Sequence, residues 1–342
     1  MNAAIFTGPG RIVMDEKPDP RPGPGQALVK VAGCGVCGTD VHIYHGELTE
    51  GIVPPVVLGH EIGGVVEAVG DGVDNVEVGD HIAVDPLIAC GRCEGCRAGR
   101  PNLCASPTTV GYAVDGGFAQ YTCIPATHLY QMSPSVPAKG GILVETLACV
   151  LHGYDRLEFR AGCSAMILGA GTVGLLWNQL LGRSPRTLLV QSEPVAFRRE
   201  LARELGADVV VDPEAGDLPE RVRELAPDGI DFIVDATGDP GAVAQAIPLV
   251  KRYGTFMIFG VCPHDATIPI NPHDLYQAEA KIIASKMPPL TLGRAAALIE
   301  AGLIDYDRIV TTTLGLDALP DAIHFFNDAR DQHVKMMIDP WE

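Results

Sequence analysis

The stretch SAMILGAGTVGLLWNQLLG, residues 164–182, limits the possible folds more than any other part of the chain. An apolar run ends in glycines and passes directly into residues with helical spacing. Gly169, Gly171 and Gly174 fit G-x-G-x-x-G, between a predicted strand and a predicted helix, the setting that gives this pattern meaning. The first glycine permits a tight turn, the second lets a pyrophosphate approach the backbone, and the third packs helix on strand. Thr172 and Val173 open the helix, whose free N–H groups and partial positive charge favour phosphate. The next strand, RTLLVQSE, ends at Glu193, where an acid receives the adenosine ribose hydroxyls.

The alternation continues. FRRELARELG reads as an amphipathic helix, and DVVVD, DFIVDATG and GTFMIFG as further strands with helical segments between them. Strands and helices of this length indicate right-handed βαβ units, so residues 147–287 are expected to form a doubly wound parallel sheet of the Rossmann type. Residues 1–146 have a different texture. Short alternating runs such as QALVKVAG and GGVVEAVG, separated by Gly and Pro, predict a mainly-β domain. Residues 288–342 open with a helical TLGRAAALIEAG, then return to short strands at RIVTTTLG and VKMMIDP. With 342 residues the chain can bury two cores, giving an α/β fold with a second, mainly-β domain.

The segment CGRCEGCRAGRPNLC supplies Cys90, Cys93, Cys96 and Cys104, four soft thiolates in one loop, which suits a closed tetrahedral zinc site. A disulfide framework would need an oxidising compartment. The N-terminus MNAAIFTGPGRIVMDEKPDP has no basic region followed by an apolar stretch, and no apolar run is long enough to span a bilayer, so a cytoplasmic location is expected. The net charge of −18 argues against a zinc ribbon that reads nucleic acid, because the basic cluster reduces to Arg92, Arg97 and Arg100. Cys34, Cys123, Cys149, Cys163 and Cys262 show no pairing pattern and are expected to be small buried residues.

A cage whose four positions are filled by protein leaves no room for substrate, so chemistry must lie elsewhere. In CGVCGTDVH and LGHEIGGVVEAVG, Cys37, His60 and Glu61 combine thiolate, imidazole and carboxylate. Three protein ligands would leave a fourth position for water or an alcohol oxygen. Spacing alone is equally compatible with a buried thiol and a core histidine.

The string G59-H-E-x-x-G-x5-G-x-x-V73 resembles the signature of the zinc-containing medium-chain alcohol dehydrogenases. The order of parts is similar too: CGxCGTDxH, GHE, the four-cysteine lobe, then GAGTVG, across essentially the whole chain. The resemblance implies a GroES-like catalytic domain that the chain leaves for a Rossmann coenzyme domain and rejoins at its C-terminus. It implies zinc ligation by Cys37 and His60, with Glu61 a ligand that comes and goes. Thr39 and His42 match its proton relay, and Asp40 an acid that orients the site. Asp235, Thr237, Gly238, Gly260 and Val261 match residues lining the cofactor; Arg198 is expected over the adenine side, although Arg198 and Arg199 open the next helix and one of them could instead reach an NADP phosphate.

Glu145 stands where the primary-alcohol branch has a third ligand cysteine; the sorbitol, threonine and butanediol dehydrogenases have glutamate there, usually followed by proline, and the resemblance implies that it lies at or near the zinc as a ligand, sometimes through a water. Here Thr146 follows. The family further implies two zincs per chain, one structural and one catalytic, NAD as cofactor, a secondary alcohol of a polyol or cyclitol as substrate, and a homo-tetramer or dimer. GTFMIFGV is apolar enough to serve at an edge strand in such an assembly, or simply to be buried. An amino-alcohol substrate is the nearest alternative; a cofactor-binding protein without catalysis is the alternative from another class.

Overall fold

The computed structural model describes residues 1–326 and 333–342. The chain folds into two compact units, Met1–Ala148 with Pro288–Glu342, and Cys149–Met287.

The second unit is built on six parallel strands. Their order across the sheet is Val209–Val211, Arg186–Ser192, Cys163–Leu168, Ile230–Asp235, Val250–Ile258, Lys281–Ala284. In chain order this is 3-2-1-4-5-6, the doubly wound arrangement, in which ligands bind where the strand order reverses. The central strand Cys163–Leu168 is buried along nearly its whole length, as expected for a strand covered on both faces. GTFMIFGV does not form an edge: its strand lies one place inside, flanked by Ile230–Asp235 and Lys281–Ala284. Its apolar character reflects burial of Phe256 and Met257.

The first unit holds a seven-stranded sheet in which Gln26–Gly35 pairs antiparallel with Glu61–Val69, Tyr121–Pro125 and Lys335–Asp339. The C-terminal strand therefore returns to the side of a strand near the N-terminus. Alternation along Gln26–Gly35 sends Ala27, Val29 and Val31 into the core with Ile62, Val66 and Phe118. Gly35, at the end of this strand, has no room for a side chain. A Cβ there would lie 2.1 Å from the Glu61 carboxylate and 2.8 Å from the Lys335 stem.

All ten cysteines are free thiols. Of the five outside the two clusters only Cys34 is buried, and burial raises its pKa; Cys123, Cys149, Cys163 and Cys262 are partly exposed. No helix among the described residues is long and apolar enough to cross a membrane.

Candidate metal centre and cofactor turn

Cys37 is the N-cap of the helix Gly38–His45, held in extended conformation, and its backbone N–H donates to Asp40 Oδ2 at 2.9 Å. Asp40 is fully buried, and its other oxygen faces His60 Nδ1 at 3.7 Å. His60 precedes the strand Glu61–Val69, so Glu61 is its first residue. These elements bring ligand atoms of Cys37, His60 and Glu61 within 4.8 Å of one another, the last two buried. Burial alone would pull the His60 pKa down, but Asp40 and Cys37 outweigh it and raise it well above the usual imidazole value. An environment that binds a proton so strongly suits a divalent cation, and Asp40 Oδ1 and His60 Nδ1 are buried without a hydrogen-bond partner. The donor set fits zinc.

The Glu61 carboxylate is held from two sides. Thr146 Oγ1 donates to Oε1 at 2.8 Å, and the Lys335 ammonium pairs with Oε2 inside the core. Burial would lower the Lys335 pKa, yet Glu61 raises it overall, so the lysine remains a cation. Thr39 Oγ1 lies 3.6 Å from Cys37 Sγ. His42 stands one helical turn along, half exposed, with Nδ1 2.5 Å from Glu47. Glu145 lies in the first turn of the helix Leu143–Leu157 and is not one of the three clustered ligands.

Three residues of this centre escaped sequence reasoning. Thr146 stood out only as a departure from proline. Lys335 carried a usable signal, a lone lysine inside the apolar run VKMMID. Tyr112 carried none: its ring meets His60 edge to face at 6.2 Å, and burial first, then Cys37, Asp40 and Glu145, push its phenol pKa up to about 12.

The four-cysteine lobe is organised by a short helix Glu94–Arg97, a 3-10 turn Pro101–Leu103 and the strand pair Leu87–Ile88 with Thr108–Thr109. Cys93 and Cys96 sulfurs are 3.4 Å apart, Cys90 and Cys96 4.0 Å. Tetrahedral zinc with Zn–S near 2.3 Å places sulfurs about 3.8 Å apart, so the spacing fits. Backbone N–H groups of Cys90 and Ser106 point at Cys104 Sγ, and that of Ala105 at Cys93 Sγ. Hydrogen bonds from the Cys96 and Ala105 backbone bring the Cys93 pKa down to about 6, whereas burial and then Cys93 raise Cys96 to about 12. Metal binding needs thiolates, and the backbone donors at Cys93 favour that form.

In the other unit, Gly171 caps the helix Thr172–Arg183. A Cβ on Gly174 would lie 2.1 Å from the Gly169 carbonyl, so only glycine fits where helix meets strand. The Glu193 carboxylate is buried and fixed by the N–H groups of Ala170 at 2.6 Å and Val195 at 3.0 Å. Arg199 pairs with Asp212 at 2.9 Å and donates to the Glu193 and Pro194 carbonyls. The Arg198 guanidinium comes within 3.9 Å of where a Gly171 Cβ would stand. Asp235, fully buried, accepts from the Thr237 backbone and hydroxyl and from Gly238, and its own carbonyl accepts from Gly260. The two loops are thereby stitched together, while Val261 is 85% exposed.

Residues 23–134 match the alcohol dehydrogenase GroES-like domain family, and residues 186–300 the zinc-binding dehydrogenase family. The chain is 33% identical over 326 residues to L-threonine 3-dehydrogenase of Pyrococcus horikoshii, covering 93% of each protein. It is 33% identical over 323 residues to D-altritol 5-dehydrogenase of Agrobacterium fabrum, covering 93% of this chain and 94% of that protein. Its fold is similar to a Sinorhizobium meliloti 1021 structure with NADP bound, at 38% identity, TM-score 0.96 and 99% coverage of both chains.

Proposed function

Since the chain belongs to the zinc-containing medium-chain alcohol dehydrogenase family, we propose that it transfers a hydride between NAD and a secondary alcohol or ketone of a polyol, cyclitol or similar hydroxylated small molecule. The observation that carries this reading is the cluster of Cys37, His60 and Glu61 ligand atoms within 4.8 Å. Zinc at this centre would supply Lewis-acid activation of the alcohol oxygen, and NAD the hydride acceptor. The protein's own part is positional and protonic. Cys37 and His60 hold the metal, and Asp40 orients the imidazole from behind. Thr39 receives the alcohol proton beside Cys37, and His42, at the exposed end of the relay with Glu47, passes it to solvent. Glu61 or Glu145 completes the metal's protein ligands, Glu145 directly or through a water, and Tyr112 faces the centre beside His60, whereas Cys90, Cys93, Cys96 and Cys104 hold a structural metal.

Glu193, with Gly169, Gly171, Thr172, Val173, Gly174, Arg198, Thr237, Gly260 and Val261, binds the cofactor. A buried carboxylate favours NAD over NADP. A phosphate about 4 Å away would be repelled by roughly 4 kcal/mol at an effective dielectric of ~20, and Arg199 is already engaged with Asp212. The S. meliloti relative holds NADP in a similar fold, so kcat/KM for both cofactors in the native protein and in Glu193→Ser decides the matter. Equal or better use of NADP by the native protein would overturn the preference.

Similarity to D-altritol 5-dehydrogenase supports the polyol reading, and similarity to L-threonine 3-dehydrogenase supports an amino alcohol as the second. The net charge of −18 also suits a cationic substrate. NADH absorbance across a panel of polyols, cyclitols and amino alcohols separates the two; turnover of none of them would sink both. The protein works in the cytoplasm as a homo-tetramer, with a dimer as the alternative. The edge strand Lys281–Ala284 and the exposed Tyr276 support self-association, and light scattering that finds only monomer would contradict it.

A further inference from the structure

Thr146 follows Glu145 where the polyol branch usually has proline, and its hydroxyl is spent on one atom. Oγ1 donates to Glu61 Oε1 at 2.8 Å, with both residues buried. Lys335, 4% exposed, pairs with the opposite oxygen. The two clamping groups come from different elements, the helix Leu143–Leu157 and the strand Lys335–Asp339, and Gly35 leaves the space in which the Glu61 carboxylate meets the Lys335 stem. The carboxylate is nevertheless within 4.8 Å of the Cys37 and His60 ligand atoms. It therefore has two competing partners, the clamp on one side and a metal on the other.

We propose that Thr146 is a positioning residue that, with Lys335, holds the Glu61 carboxylate and so sets how readily it joins Cys37 and His60 on the metal. This rests on Cys37 and His60 forming the metal centre. Lys335 contributes the charge, but removing it would leave a buried carboxylate unpaired and disrupt the core. Thr146 sets the balance more gently, since one hydrogen bond to a charged acceptor biases such an equilibrium about tenfold.

The test compares zinc-loaded native protein with Thr146→Val, which keeps the shape and removes the hydroxyl, and Thr146→Ser, which keeps the hydroxyl. The rate at which a chelator strips the Cys37–His60 metal is followed, together with the visible spectrum of cobalt-substituted protein. In Thr146→Val, Glu61 is expected to move onto the metal. Stripping then slows about tenfold, the cobalt bands weaken as a ligand is added, and kcat falls more than KM changes; Thr146→Ser behaves as native. Identical stripping and spectra in Thr146→Val and native protein would overturn the clamp, as would faster stripping in Thr146→Val or equal defects in both variants. A native chain that binds one metal only would overturn the metal centre itself, and the clamp with it.

Discussion

The four-cysteine lobe and the Cys37–His60–Glu61 centre are candidate metal-ligand sets on the same unit, built in opposite ways. The lobe draws its ligands from one loop of half-exposed residues, and backbone N–H groups organise the sulfurs. The other centre gathers a helix cap, a residue between elements and the start of a strand, then buries two of the three ligands. Behind it stand a fully buried Asp40 and a buried Lys335. The contrast separates two jobs. A closed site needs only ligands and can be written into one loop. A site that must keep a position open needs a rigid surround to hold its ligands short of closing on the metal.

The strongest way to break this contrast is to remove one ligand from each site. His60→Ala is expected to lower kcat/KM about a thousandfold or more, with one metal per chain retained and the fold intact. Cys93→Ser should also cost one metal, but the loss appears as a fall in Tm of about 5 °C or more and as poor solubility, because metal orders that lobe. Calorimetry, metal analysis and kinetics on the two variants must give opposite patterns. If both lose activity equally with unchanged Tm, the division of labour is wrong.

A smaller effect sharpens the open site. Tyr112, half buried beside His60 with its pKa pushed up to about 12, remains a proton donor throughout the working pH range. Tyr112→Phe is expected to lower kcat/KM for a polyol about threefold to tenfold, with no shift in the pH–rate profile. An unchanged kcat/KM would remove it from the substrate side.

The smallest effect concerns a charge balanced without metal. Burial would raise the pKa of Asp231, but hydrogen bonds from the Ser164 backbone and hydroxyl, and the Lys251 charge, bring it below its ordinary value. A carboxylate whose folded pKa is depressed adds stability above its unfolded pKa near 4 and loses it as pH falls through the lower folded value. Asp231→Asn should therefore cost about 1 kcal/mol at neutral pH and almost nothing near pH 2, with or without chelator. A difference that is flat with pH would contradict this.

Legibility in the sequence follows the same contrast. The lobe could be read directly because its spacing is local, and the parallel sheet because strand, glycine turn and helix recur as neighbours in the chain. The stitching of Asp235 to Thr237 and Gly238 was also within reach, being two and three residues apart. The clamp on Glu61 was not. Thr146 and Lys335 meet it only after the chain has folded back on itself, and no periodicity reports such a meeting. Arg199 shows the same limit: nothing in FRREL tells which arginine is committed to Asp212.

The most direct test follows turnover against metal content as a chelator strips the native protein. The Cys37–His60 metal, with its open position, should leave before the thiolate-caged one. Activity should then fall to zero as the count drops from two metals per chain to one, while circular dichroism and Tm hold nearly constant. Full turnover at one metal per chain, lost only when the last metal leaves and the fold fails, would contradict the assignment of the chemistry to Cys37 and His60.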